Sequence, residues 1–180
     1  MDGHLAWLRE REEDETGDWL AAHQQASGEI LWSKDGKSDP WDHVHAAMGL
    51  AALGRFEAAR AAYRYLATIQ EPNGAFAAER VGGHVTRISQ ETNHAAYIAT
   101  GLWHLYCADN DADFLAELWP TLERAIHWVV SLQLRNGAIA WASKNGKVWP
   151  APLVAGSSSI HGSLVCALRI AERLDQDRPS

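Results

Sequence analysis

Two acids stand three residues apart in Asp39-Pro40-Trp41-Asp42-His43, with a tryptophan between them and a histidine beside them. Glycoside hydrolysis needs two carboxyl groups flanking the scissile bond, about 5 Å apart for retention or about 6.5–9.5 Å for inversion. Flat aromatic rings beside such acids can stack on sugar faces. Asp42, next to Trp41 and His43, is the best single acid/base candidate, and burial there would raise its pKa. Both acids also suit a helix start. Asp39 fits the N-cap and Asp42 the third helical position, where the dipole favours negative charge. The catalytic and capping readings both stay open.

A second cluster is Gln90-Glu91-Thr92-Asn93-His94-Ala95-Ala96-Tyr97. Glu91 is a helper acid if it faces the same rim as Asp42, or a capping partner of Ser89. Gln90 and Asn93 suit recognition of sugar hydroxyls, and His94 stands beside them. Tyr97, like Trp103 and His104, fits a core position as well as a ligand contact. A third cluster, Gly156-Ser157-Ser158-Ser159-Ile160-His161, presents hydroxyls, with Ser158 the substrate candidate and helix capping the other reading. It lacks the strand–turn–helix setting of a nucleophilic serine. The histidine spacings are not those of zinc ligands. Asp109-Asn110-Asp111-Ala112-Asp113 reads as an interhelical turn, since no basic residue follows it in sequence to hold a diphosphate. No metal or cofactor is expected.

Composition narrows the classes. The chain has 180 residues, 47% of them hydrophobic, a net charge of −7 and nine tryptophans. That is enough for a substantial core. No basic stripe exists to neutralise phosphates, which argues against nucleic acid. No run reaches the roughly 20 apolar residues of a membrane span. Met1-Asp2-Gly3-His4 has no secretory pattern, and Cys107 and Cys166 read as reduced core thiols, so a cytoplasmic location is expected.

The elements that must position these residues are set by a repeat. Gln-x-x-[Ser/Asn]-Gly occurs at Gln24–Gly28, Gln70–Gly74 and Gln133–Gly137, at intervals of 46 and 63 residues. Each copy ends a helical stretch and opens a short extended one, which carries Trp32, Phe76 or Trp141. Trp32 and Trp141 are therefore candidates to line a rim. Apolar periodicity predicts helices over 40–53, 55–70, 89–107, 113–133 and 158–174, the fourth kinked or divided at Pro120. Pro40–Leu53 and Ser89–Cys107 read as inner helices, the second and fourth as outer ones. The expectation is all-α: antiparallel helical hairpins forming part of an (α/α)6 toroid, with short β-hairpin-like turns after the repeats. Residues 1–180 read as one domain. The last helix has no partner before the polar tail, so the chain reads as the N-terminal portion of a longer protein.

The Gln-x-x-x-Gly units resemble repeats of terpenoid cyclases and protein prenyltransferases. Asp111 to Pro120, running on to Trp128, is similar to a segment of six-hairpin, glucoamylase-like glycosidases. The blocks at Ser38–His43, Glu91–His104 and Gly156–Ile160 together resemble actinobacterial prenyltransferase-like proteins that include methylmannose polysaccharide hydrolases. The resemblance spans about Gly28 to Leu174. It implies a carbohydrate substrate and carboxylate chemistry, with Asp42, Glu91 and Asp39 as catalytic residues. It also implies substrate contacts at Trp32, Trp41, His43, Gln90, Asn93, His94, Tyr97, Trp141 and Ser158. A terpenoid-cyclase or prenyltransferase-like enzyme, and a non-catalytic helical-repeat binding module, are the alternatives. Sugar, linkage and oligomeric state are not legible.

Overall fold

The computed structural model describes residues 15–176; the Met1–His4 start and the Arg178–Ser180 end lie outside them. A helical stretch at 15–22 (α1) is followed by α2 (Pro40–Ala52), α3 (Phe56–Ile69), α4 (Thr92–Asp109), α5 (Ala112–Ser131) and α6 (Val154–Arg173). Helix α4 is central and packs against α2 and α6, with α3 and α5 set against it from outside. Buried positions run around much of α2 and α4, whereas α3 and α5 bury mainly one face. Tyr63, Leu66, Leu50, Ile98, Leu102 and Leu118 lie in the core between these layers. Pro120 sits inside α5 without dividing it. Among the described residues, no helix is long and apolar enough to cross a membrane.

The all-α expectation is overturned. Five strands, β1 (Lys37–Ser38), β2 (Ala77–Val81), β3 (His84–Glu91), β4 (Ala142–Lys144) and β5 (Lys147–Trp149), pair in that order into one antiparallel sheet. The loops that follow the repeats thus satisfy their backbone groups against each other instead of against water. Gly82 and Gly83 both take positive φ (55° and 79°), as the tightest hairpin turns require, and so do Asn145 and Gly146 (51° and 74°). The predicted helix start at Ser89 is therefore wrong. Ser89 belongs to β3, and α4 begins at Thr92 with no side-chain cap from Glu91. The other late helix start is also corrected. The Ser157 N–H donates to the Leu153 carbonyl (2.7 Å), so α6 begins four residues before Ser158, and the serines lie within it rather than capping it.

The three repeats share one backbone. In each, the glycine N–H closes a four-residue β-turn: Gly28 to Gln25, Gly74 to Glu71 and Gly137 to Leu134, at 2.8, 2.8 and 2.9 Å. The glycines have φ of 93°, 92° and 86°, a region that favours glycine. Each leading glutamine donates its side-chain amide back to the glycine carbonyl, at 3.2, 3.0 and 3.0 Å. The sequence repeat is a repeated side-chain clasp.

Candidate active site

The first clasp delivers Trp32 and the start of α2 to one rim. Asp39 caps that helix, its carboxylate accepting from the Asp42 N–H (2.9 Å), with Pro40 following where no N–H is needed. The cap also brings the Asp39 carboxyl beside that of Asp42, so each acid influences the titration of the other. Burial raises the Asp39 pKa, against backbone and side-chain bonds that lower it. Partial shielding raises Asp42 as well, and the neighbouring Asp39 pushes the same way, while His45 and His94 pull it back. The two acids sit side by side at the start of α2, with Asp42 the exposed member and Asp39 the buried one.

Asp42 opens onto a cleft of about 250 Å³ lined by Trp19, Leu20, Ile30, Leu31, Trp32 and Ala46. Trp19 and Trp32 remain 50% and 42% exposed, which is high for indoles in a folded chain and leaves ring surface available for stacking. Lys37 covers part of Trp32, its ammonium 4.1 Å from the ring centroid, and Glu79 anchors that lysine at 2.8 Å. Trp19 was not singled out from the sequence. It lies on α1, apart from the motifs, and only folding brings it opposite Trp32.

On the other side of Asp42, Trp41 stacks on Tyr97 of α4 with centroids 4.1 Å apart, and the Tyr97 hydroxyl meets His45 Nε2 at 2.8 Å. His94 lies 6.1 Å from the Trp41 ring. Its buried position lowers its pKa, against Glu91, which raises it. Glu91 is itself held at two points, by Arg87 (2.9 Å) and by His94 Nε2 (3.4 Å). His94 Nδ1 and Asn93 Oδ1 are buried without a hydrogen-bond partner. Trp41, Asp42, Glu91, His94 and Tyr97 therefore come together where β3 runs into α4 beside the start of α2. Trp141 borders them: its carbonyl accepts from both the N–H and the hydroxyl of Thr92, at 2.9 and 2.8 Å.

Other predicted positions are placed elsewhere. His43 is 2% exposed, with Nδ1 accepting from the Ile30 N–H (3.1 Å) and Nε2 donating to the Ala62 carbonyl (2.9 Å), so it braces the first clasp against α3. Gln90 is buried and bonds Glu71 and Asn73 of the second clasp. Ser158 is exposed on α6, away from these contacts. The acidic turn does meet a basic residue, supplied by α3: Arg60 pairs with Asp109 (2.6 Å) and Asp111 (3.1 Å). Asp111 caps α5 through the Phe114 N–H (3.0 Å). Both cysteines are free thiols, and Cys107 is exposed, not a core residue.

Comparison with known proteins places the chain among glycoside hydrolases. The chain is 36% identical over 165 residues to the MMP endo-(1,4)-3-O-methyl-alpha-D-mannosidase of Mycolicibacterium hassiacum, covering 92% of this chain and 46% of that protein. It thus spans about half the length of that relative. Its fold is similar to that of the endo-beta-1,4-glucanase CMCax from Acetobacter xylinum (TM-score 0.66, 11% identity, 89% of this chain and 52% of that one). It is also similar to the unsaturated glucuronyl hydrolase from Bacillus sp. GL1 (TM-score 0.65, 17% identity, 91% and 49%). Both belong to the six-hairpin, α/α-toroid superfamily. The profile of the mannosylglycerate hydrolase MGH1-like glycoside hydrolase domain matches residues 36–141, a stretch that carries both acid clusters and strands β1 to β3. The chain belongs to the MGH1-like glycoside hydrolase family.

Proposed function

We propose that this chain supplies the acid-bearing rim of an endo-acting glycosidase for a 1,4-linked, O-methylated mannose polymer. The observation that carries this is Asp42, with Asp39 beside it, opening onto a cleft with two exposed indoles. Asp42, its pKa raised and its carboxyl accessible, holds the proton for the glycosidic oxygen. Asp39 is the positioning partner. Two carboxyls side by side at one helix start are too close to flank a sugar linkage, so they act as one unit and a second acid must face them across the bond. Among the described residues, Glu91 is the rim acid available, held in place by Arg87 and His94. Trp32 and Trp19 stack the sugar rings. Methylated hydroxyls favour such a surface, because each methyl group removes a donor and adds apolar area. The relative's printed substrate supports the choice of polymer.

The test is cleavage of 1,4-linked 3-O-methylmannose oligosaccharides, read as new reducing ends. Asp42→Asn is expected to lower turnover by about 10²–10⁴-fold, the usual worth of a positioned proton donor, with binding retained by tryptophan fluorescence. Undiminished turnover in the variant removes Asp42 from the mechanism. A preference for unmethylated glucose oligomers removes the mannose assignment.

A further inference from the structure

Two of the three clasps reach beyond their own turn. The second amide hydrogen of Gln24 goes to the Ala58 carbonyl of α3 (2.8 Å), and that of Gln70 to the Thr121 carbonyl of α5 (2.8 Å). The glycines press on the same helices one turn further along. A Cβ at Gly28 would lie 2.2 Å from the Ala61 carbonyl oxygen, and one at Gly74 would lie 2.2 Å from that of Arg124. In both copies the two carbonyls are three residues apart, so one register docks both outer helices. The third clasp has the same backbone and the same internal bond, yet Gln133 makes no second bond and nothing lies within 4 Å of a Cβ at Gly137 among the described residues. Gly28 and Gly74 are buried, and Gly137 is exposed.

The two helices that precede and follow the third clasp in sequence both carry exposed apolar residues. Val130 near the end of α5 is 44% exposed, and Val154, Val165 and Leu168 along one flank of α6 are 90%, 36% and 49% exposed. At helical spacing these α6 residues share one side with the exposed Ser158 and His161, a mixed face that an inner helix can bury against a neighbour. Helix α4, the central inner helix, has Ile98, Leu102 and Leu105 at 1% exposure or less.

We propose that Gln133–Gly137 and the exposed flank of α6 form a docking site for an outer-type amphipathic α-helix, carried by a complementary half-ring. The helix seats with one carbonyl on the Gln133 amide and the carbonyl three residues on against Gly137. A half-ring fits as the occupant because this chain matches only 46% of the M. hassiacum relative, 52% of the glucanase and 49% of the glucuronyl hydrolase. The docking site stands independently of the catalytic reading.

The probe is the part of the M. hassiacum mannosidase that this chain does not match, co-expressed with it as a separate polypeptide. A 1:1 complex by sedimentation velocity is expected. Gln133→Ala should weaken it about tenfold, the worth of one hydrogen bond left unmade. Gly137→Asn, whose side chain tolerates the left-handed backbone yet adds a Cβ, should weaken it about a hundredfold. Leu168→Glu should do so as well. All three variants should leave the melting temperature of the isolated chain within about 2 °C of the parent, because all three sites are exposed and the one bond lost, Gln133 to Gly137, is at the surface. Failure to co-purify overturns the proposal, as does a complex that the three variants leave intact. If the chain dimerises alone through this face and Gly137→Asn abolishes that, the occupant is a second copy and the half-ring assignment fails.

Discussion

The first two clasps and the third share sequence, turn and φ, yet differ in what they hold. Gln24 and Gln70 each tie a turn to the next outer helix, while Gln133 closes only its own loop. The difference shows that the Gln-x-x-x-Gly unit is two devices. One is local and makes the turn; the other is a socket that works only when a helix backbone lies against the glycine.

The largest expected effect tests the socket. Gly74→Asn places a Cβ against the Arg124 carbonyl and should cost roughly 3 kcal/mol, at the upper end for overpacking, which is about 6–12 °C in melting temperature. Gly137→Asn should cost about 0.5 kcal/mol or less in the isolated chain. Equal losses at the two sites would mean that the turn, not the socket, carries the stability.

Next comes the amide. Gln70→Ala removes bonds to Gly74 and Thr121 and an acceptor for Arg124, and should cost about 1–2 kcal/mol. Gln133→Ala loses one exposed bond and should cost about 0.5 kcal/mol, both read by urea unfolding.

The first clasp has a titrating brace that the third lacks. Burial lowers the pKa of His43, so the unfolded chain takes up its proton more readily than the folded one. Stability from His43 is therefore full above about pH 6.5 and is lost as pH falls below that value. The melting temperature should drop on acidification in that window, and His43→Gln should flatten the dependence. An unchanged slope would place the titration elsewhere.

The smallest effect is at the bridge between the docked helices. Arg64 grips Glu117 at 2.6 and 2.8 Å from α3 to α5, but both are well exposed. Arg64→Met should cost about 0.5 kcal/mol. A larger loss would show that charge, rather than the clasps, joins the outer helices.

Much of this was legible in sequence because it is local. The three repeats, the Asp39-Pro40 start of α2 and the amphipathic α3 and α5 all announce themselves within a few residues. The sheet did not. Its Gly82-Gly83 turn, flanked by Glu79-Arg80-Val81 and His84-Val85-Thr86, was a readable hairpin signal, but the Ser89–Thr92 capping pattern pulled the same region toward helix. Capping residues signal a helix only where the backbone is free to start one. Here Gln90 and Glu91 pair with Ser143 and Ala142, more than fifty residues away, and that pairing delays the helix to Thr92.

Sequence by itself determined the hairpin period, the clasp residues and the glycoside hydrolase class, and it offered Asp42 and Glu91 as candidates. Tertiary structure decided that Asp39 is buried beside an exposed Asp42, that Trp19 and Trp32 line one cleft, that His43 is a brace, and that two of three sockets are filled among the described residues. Local propensity depends on neighbours a turn apart. Desolvation, ring contacts and helix docking depend on distant segments brought together by burial, and no single stretch of sequence encodes them.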